Sequence, residues 1–532
     1  MGKLLFDMPK PEADERPTEY ADRVGAWYVA QRDDAQRKEM GLYLTPVIVA
    51  DFMAKMLGEM TGEVRLLDPA SGAGILLCAS VEHLAREVNP PVAIDLTAYE
   101  LDEGLIEPLR AVLRHLKAWA SKRGIEIKTH IRHEDFILSK AGALRGDEAE
   151  NFDAVIANPP YFKISKNDPR AVAAQSVVHG QPNIYGLFMA VAAALLNDTG
   201  DFVFITPRSF ASGPYFRRFR ENFFRMARPS RVHLFSSRRM AFSRDDVLQE
   251  NVILHAVRDN GWTRRAGTPP RMMISTSHGL SDMQLADKRA LPVRDLLNMD
   301  DADKVLRLPA SLDEERLLRR VEAWPGSLQA YGLQISTGPV VPFRATEWLT
   351  EKSNGVTVPL LWMNHVRAMD VHWPNGVRKP QYILSKDGSR NLLLPNRNYV
   401  VLRRFSAKEE HRRLTAAPLL ASDFDASLIG LENHLNYIHR PGGTLTEDET
   451  WGLAALFNSA LLDGYFRCVN GNTQVSATEL RAMPLPPLKT IVAIGKKARN
   501  AADPLAAIDD LVEDLTGYDA RMNAYREECA VG

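Results

Sequence analysis

A chain of 532 residues, 45% of them hydrophobic, is long enough for two to four domains and a large core. Its 66 lysines and arginines against 67 aspartates and glutamates leave a formal net charge of −1, so a basic nucleic-acid groove would have to be balanced by acidic surface elsewhere. The three cysteines, Cys78, Cys468 and Cys529, lie far apart without metal-ligand spacing, which argues against zinc and predicts reduced thiols in a cytoplasmic protein with no bound metal.

The opening 34 residues mix acids and bases and carry no cleavable apolar core. The longest apolar run, Leu187–Leu196, is half a membrane span, so no membrane association is expected. Met1 to about Met40 reads as a solvated lead-in ending in a polar helix from about Tyr20. Gly41-Leu42-Tyr43-Leu44-Thr45-Pro46 then opens a helix over Val47–Met60 with one apolar face. Thr45 supplies a hydroxyl cap and Pro46 suits the first helical position. The same backbone and hydroxyl can bind the carboxylate end of a ligand.

Val64–Asp68, the turn Pro69-Ala70-Ser71-Gly72-Ala73-Gly74 and a helix from Ile75 to about Glu87 make a strand, a glycine-rich turn and a helix. That is the opening unit of a doubly wound sheet, whose ligands bind at the carboxyl ends of the strands. Small residues at Ala70, Ser71, Gly72 and Gly74 let a ligand approach the backbone. Ile75, Leu76 and Leu77 stand where a dinucleotide fingerprint needs its third glycine. Asp68 at the strand tip repels a phosphate, so an ammonium or sulfonium ligand fits better.

The second strand, Ala93–Tyr99, ends at Glu100-Leu101-Asp102. Glu100 is the candidate for ribose hydroxyls, because Asp102 sits where the cap of the next helix belongs. The third strand, Ile125–Arg132, leads to Glu134-Asp135-Phe136, where a carboxylate can accept from an adenine amino group while a ring packs on the adenine face. Taken singly, Asp135 reads as a loop acid and Phe136 as a core ring. Four successive strand tips carrying an acid or an amide form the stronger signal.

The fourth tip is Asn158-Pro159-Pro160-Tyr161, at the end of a buried strand over Asp153–Ala157. The two prolines forbid a helix and stiffen the turn. It presents an amide, a carbonyl and an aromatic ring, which suits a flat group bearing an exocyclic amine. Such an amine is a poor nucleophile because its lone pair is delocalised into the ring. If the Asn158 side-chain oxygen and the Pro159 carbonyl accept its hydrogens, electron density returns to nitrogen as it attacks a methyl group. Tyr161 offers the stacking face for a base taken out of its duplex. The plain alternative is a strand-end turn, since Asn-Pro and Pro-Pro are ordinary turn signals.

Phe162–Pro182 is a long polar loop with Lys163, Lys166 and Arg170, of the kind that often borders a site. An apolar helix to Leu196, a strand over Phe202–Thr206, a helix from about Pro214 to Arg228, and strands over Val232–Phe235 and Val247–Val257 complete this domain. The connection between the last two carries Phe242. Between Arg208 and Arg244, ten arginines face one acid, Glu221, a positive field suited to phosphates. Lys163, Arg217, Arg218 and Arg239 are the candidate DNA contacts here. The alternative is a helix whose wet basic face covers an apolar one.

In order and content these motifs resemble the amino-group DNA methyltransferases of the Taq-type, or gamma, arrangement. The resemblance covers about Gly41 to Val257, less than half of the chain. It implies a class I methyltransferase fold (Rossmann-like α/β, a doubly wound, mostly parallel sheet) using S-adenosyl-L-methionine. Tyr43, Thr45, Pro46, Asp68, Ala70, Gly72, Gly74, Glu100, Asp135, Phe136 and Asn158 would surround the donor. Asn158, Pro159, Pro160 and Tyr161 look identical to the catalytic tetrad for N6 of adenine, with Phe242 as a second aromatic against the flipped base.

Residues 259–325 read as a connecting segment, and residues 326–490 change character. Short strands at Ile335–Val341, Tyr399–Phe405 and Leu435–His439 suggest a mixed domain. Eleven lysines and arginines against four acids lie between His365 and Leu414. Arg403 and Arg404, with Asn364, Asn433 and Asn436, are the residue types that read base edges in a major groove. This half resembles, more loosely, the target-recognition domains of methylases that partner Xho-type restriction enzymes. Residues 491–532 read as a helical tail, with Leu505, Ile508, Leu511 and Leu515 at helical spacing and packed back on the body.

The composite expectation is site-specific methylation of double-stranded DNA at adenine N6, protecting host DNA from a functionally paired restriction endonuclease. Three alternatives stay open: transfer to cytosine N4, transfer to a protein glutamine, or a non-catalytic DNA-specificity subunit. Asn158 where cytosine enzymes more often carry serine, and the large basic second half, favour adenine in DNA.

Overall fold

A computed structural model describes residues 8–32, 44–148, 150–235, 251–265, 267–375, 378–406, 410–469 and 475–517. The chain divides into two compact units, Met1–Ala310 and Ser311–Gly532.

In the first unit, β1 (Glu63–Asp68), β2 (Ala93–Tyr99), β3 (Glu126–Arg132), β4 (Phe152–Ala157), β5 (Leu196–Pro207), β6 (Ala227–Phe235), β7 (Asn251–Arg258), β8 (Arg271–Ser277) and β9 (Asp287–Pro292) form one sheet. Its order is β3-β2-β1-β4-β5-β7-β6-β8-β9. The pairings from β3 through β5 are parallel, β7 runs antiparallel to both β5 and β6, β8 is parallel to β6, and β9 closes the edge antiparallel. The central strands are buried nearly throughout because helices cover both faces. Leu66, Leu96, Ile156, Val203 and Ile205 pack under the helices Val47–Ala54, Ile75–Leu84 and Glu103–Ser121. Leu67, Val155, Phe202 and Phe204 pack on the opposite face, under Ile184–Ala194 and Arg217–Met226. A doubly wound sheet with one reversed strand between the fifth and sixth is the class I S-adenosylmethionine-dependent methyltransferase fold. Strand order turns back between β1 and β4, which opens a crevice at their carboxyl ends.

Three expectations about this unit change. The N-terminal lead-in is a packed element: in the helix Pro17–Val29, Thr18, Tyr20, Ala21, Val24 and Tyr28 are buried. Its charges are spent on neighbours, since the fully buried Glu82 accepts from Thr18 N at 2.8 Å, Thr18 Oγ1 at 2.7 Å and Arg16 Nε at 2.7 Å. The supposed connector 259–325 supplies β8 and β9, and this unit ends only at Ala310. Arg208 Nη2 donates to Leu308 O at 2.7 Å and Thr276 Oγ1 to Ala310 O at 3.0 Å, which holds that stretch to the sheet. The strand expected at Phe202–Thr206 begins at Leu196.

The second unit carries an antiparallel sheet of Gln334–Thr337, Leu435–His439, Tyr399–Arg403 and Ala416–Leu419, in that order. A second sheet joins the short strands Leu349–Thr350, Tyr382–Leu384, Thr357–Leu361, Leu428–Leu431 and Leu393–Pro395. Helices Glu447–Asn458 and Leu488–Arg499 meet backbone to backbone: a Cβ on Gly452 would lie 1.9 Å from Ile491 O, and one on Gly495 1.8 Å from Asp448 O. The final described helix, Pro504–Thr516, buries Ile508 and Val512 in the same core and leaves Leu505 exposed.

Candidate active site

The apolar run of β1 ends at Asp68, and the turn behind it is built from short residues that bond their own backbone. Asp68 Oδ1 accepts from Ala70 N at 3.0 Å, Ser71 Oγ donates to Asp68 O at 3.0 Å, and Ser71 N donates to Tyr99 O at 2.9 Å. Gly74 has φ +87, and a side chain there would meet Leu109 Cδ1 at 2.8 Å, so only glycine starts the helix this close to its neighbour. At the tip of β2, Glu100 accepts from Gly72 N at 2.8 Å and from Asp102 N at 2.7 Å. Burial raises its carboxyl above the ordinary range, against the pull of those backbone donors. Asp102 caps the helix Glu103–Ser121 through Gly104 N and accepts from Tyr28 Oη at 2.6 Å, which ties the N-terminal helix to this edge.

Asp68 Oδ2 is buried without a hydrogen-bond partner. Burial pushes this carboxyl up to about 8, and the nearby Glu100 charge adds to the rise. A solitary carboxylate oxygen facing a cleft is what a cationic ligand would neutralise. The cleft is lined by Ala21, Asp22, Leu44, Thr45, Asp68, Ala70, Ser71, Gly72 and Asn158, among others. Ala21 and Asp22 were not anticipated from sequence, although Tyr20, Ala21, Val24 and Tyr28 recur at helical spacing and carried that signal.

Asn158 closes the other side. Its Nδ2 donates to the buried Thr45 Oγ1 at 3.0 Å, and its Oδ1 accepts from the Tyr161 hydroxyl. That hydroxyl also lies 2.9 Å from Ile205 O on β5. The Tyr161 ring meets Tyr185 edge-on at 6.0 Å, and Tyr185, fully buried, bonds Ser209 Oγ at 2.7 Å. Asn158 and Tyr161 are thus held from both flanks, by Thr45 on one and Tyr185 on the other. Pro46 serves as N-cap of the helix Val47–Ala54 in place of Thr45, whose hydroxyl is given to Asn158 instead.

The remaining candidates divide. Asp135 caps the short helix Phe136–Lys140 by accepting from Leu138 N at 3.0 Å. Phe136 is 2% exposed, edge-on to Tyr99 and stacked on Phe188 at 5.5 Å; it is a core ring and presents no open face to a donor. Lys163 and Arg218 are exposed, while Arg217 lies 3.4 Å from Asp303 and donates to Ala302 O. The basic run is partly structural: Arg220 is buried, donating to the carbonyls of Phe210, Gly213 and Asp303, with burial lowering its guanidinium to about 10. In the second unit, Arg403 Nε donates to Val366 O at 2.7 Å and Arg404 Nη1 to Asn433 O at 3.1 Å. Asn436 is fully buried, donating to Val475 O and accepting from Thr337 Oγ1, so it reads no base. Tyr43, Arg239 and Phe242 lie outside the described residues. No described helix is long and apolar enough to cross a membrane.

The family model of the Eco57I restriction-modification methylase matches residues 102–242. Type II methyltransferase M.BsuBI of Bacillus subtilis is 34% identical over 468 residues, 86% of this chain and 90% of that protein. Type II methyltransferase M.PstI of Providencia stuartii is 31% identical over 482 residues, 90% of this chain and 93% of that protein. The structure of a DrdV–DNA complex aligns over 92% of this chain and 60% of that one, at 13% identity and a TM-score of 0.49. The cofactor of this fold is S-adenosyl-L-methionine. Its ammonium and sulfonium fit the cleft seen here, which holds the unpartnered Asp68 oxygen and a turn of small residues, while Glu100 accepts from the Gly72 amide of that turn. With two relatives above 30% identity that run through both compact units, the chain belongs to the type II restriction-modification methyltransferases.

Proposed function

We propose that this methyltransferase modifies N6 of an adenine rotated out of duplex DNA, and that the mark shields host DNA from a cognate restriction endonuclease. The observation that supports it most is the placement of Asn158: a neutral amide at the end of β4, held by Thr45 and Tyr161 on the rim of the cleft that contains Asp68. The bound donor supplies a methyl group on a positively charged sulfur. Asn158 Oδ1 and the Pro159 carbonyl accept the two amino hydrogens of the base, which concentrates the nitrogen lone pair for in-line attack. Pro160 keeps that carbonyl from swinging away, and the Tyr161 ring supports the base face. An uncharged acceptor suits this position, because a carboxylate would hold the cationic donor in its ground state. No side chain has to remove a proton before transfer, so positioning and electrostatics carry the rate.

Residues beyond Ser311 form the proposed target-recognition unit, with Arg403, Arg404 and Asn364 toward base edges; Lys163, Arg217 and Arg218 of the first unit meet phosphates. Phe242 is proposed as the second ring against the base. The test is to express the protein in a methylation-deficient host and sequence its plasmid with modified-base detection. N6-methyladenine at one short recurrent site is expected. N4-methylcytosine at the recurrent site would move the acceptor, and unmodified DNA would remove the reading.

A further inference from the structure

Asn251, the first residue of β7, is 2% exposed, and neither its Oδ1 nor its Nδ2 has a hydrogen-bond partner. An amide buried with both ends unpartnered weakens the fold, since it gave up water and received nothing. Its place in the sheet points to the partner. Ala157 of β4 pairs with Phe204 of β5, so Asn158 stands level with Ile205; Ile205 pairs with Ile253 of β7, and Pro207 with Asn251. Asn251 is therefore two strands from Asn158 and one pleat further toward the edge where β4 ends. Alternation puts its side chain on the face of Ile253 and Ile205, which is also the face of Ile156 and hence of Asn158. Strand spacing and rise put roughly 12 Å between the two Cα atoms, enough for a heteroaromatic ring between two amide side chains. Thr206 Oγ1, likewise buried without a partner, alternates to the opposite face and takes no part.

We propose that Asn251 is a specificity-determining residue for the acceptor base. While Asn158 and Pro159 hold the exocyclic amine, Asn251 Nδ2 donates to a ring nitrogen of the same base. The contact discriminates at adenine N1, an acceptor where guanine N1–H and thymine N3–H would oppose the donor; guanine N3 and N7 and cytosine N3 accept as adenine's ring nitrogens do. The proposal rests on the tetrad being the acceptor-base site.

The test is single-turnover methylation of duplexes whose target adenine is replaced by 1-deaza-, 3-deaza- or 7-deazaadenine. Wild type is compared with Asn251→Ala, Asn251→Val and the similarly sized Asn251→Leu, none of which carries a hydrogen-bond donor. Each analogue changes the intrinsic reactivity of the amine equally for every enzyme, so the informative quantity is the adenine-to-analogue rate ratio in a variant relative to wild type. For one analogue, all variants are expected to lose about tenfold of that ratio, the weight of one hydrogen bond, with donor affinity unchanged. Ratios that stay at wild-type values for all three analogues would overturn the proposal. So would variants that lose donor binding and cooperative thermal unfolding together, which marks a structural role. Failure of the underlying reading looks different: wild type would label no adenine in any duplex.

Discussion

At the scale of single residues, two side chains in the cleft make opposite demands. In the proposed mechanism Asn158 remains neutral and accepts hydrogen bonds, with its Nδ2 bonded to Thr45 Oγ1. Asn158→Ala should lower single-turnover methyl transfer by about 10²–10³-fold, the usual loss for one acceptor or donor aimed at developing charge. Duplex affinity should hold; unchanged transfer would remove the tetrad from the mechanism. Asp68 has to be charged to meet a cation, yet burial raises its carboxyl to about 8. Below that pH it is protonated in the free protein and attracts no cation; above it, it is ionised. Donor affinity measured calorimetrically should therefore rise from pH 6 and level off above about 8, and Asp68→Asn should weaken binding and flatten the profile. The sign for stability is the reverse. A folded-state value above the unfolded one means this group's contribution is fully present below about 4 and is lost as pH rises toward 8. A donor affinity that falls with pH would show that Asp68 is not the cation's partner.

At the scale of elements, the site depends on a helix whose own sequence looks like solvent-facing lead-in. Pro17–Val29 contributes Ala21 and Asp22 to the cleft, and its N-terminus is fastened by the buried Glu82 of the helix that follows the glycine-rich turn. Glu82→Ala would strand the Thr18 amide and hydroxyl and one side of the half-buried Arg16. The expected cost is about 2–4 kcal/mol, seen as a lower unfolding midpoint, together with weaker donor binding as the wall loosens. Glu82→Gln, which still accepts two bonds, should recover most of it. A stable Glu82→Ala variant with normal donor affinity would mean that the helix is held elsewhere. The amphipathic helix Arg217–Met226 makes a related point: Phe219, Phe223 and Phe224 go inward, and of its basic residues Arg220 goes with them. An arginine count describes a surface only after the buried arginines are removed from it.

At the scale of the whole molecule, a first unit carrying the cleft and a second carrying short strands and paired arginines divide the proposed labour between chemistry and target choice. Arg403→Ala with Arg404→Ala should weaken binding to the cognate duplex by about 10–100-fold and leave donor affinity alone. Both guanidiniums already hold a backbone carbonyl, so the unfolding midpoint of the double variant must be measured beside its DNA affinity. Unaltered affinity would place the reading surface elsewhere in the chain. The motif positions along β1, β2 and β4 were legible in the sequence because each is a local event: an apolar run stops, and an acid, an amide, a glycine or a proline follows it. Asp68, Glu100 and Asn158 stand at strand ends for that reason alone, and the alternation of their strands and the spacing of their helices implied a doubly wound sheet. Tertiary packing decided what composition could not, because burial depends on partners far away in the chain. It drew Phe136 and Asn436 into the interior, turned a charged lead-in into a wall, and added 259–310 to the sheet. It also buried one oxygen of Asp68 and the whole amide of Asn251 without a hydrogen-bond partner, a pattern set by distant strands brought side by side.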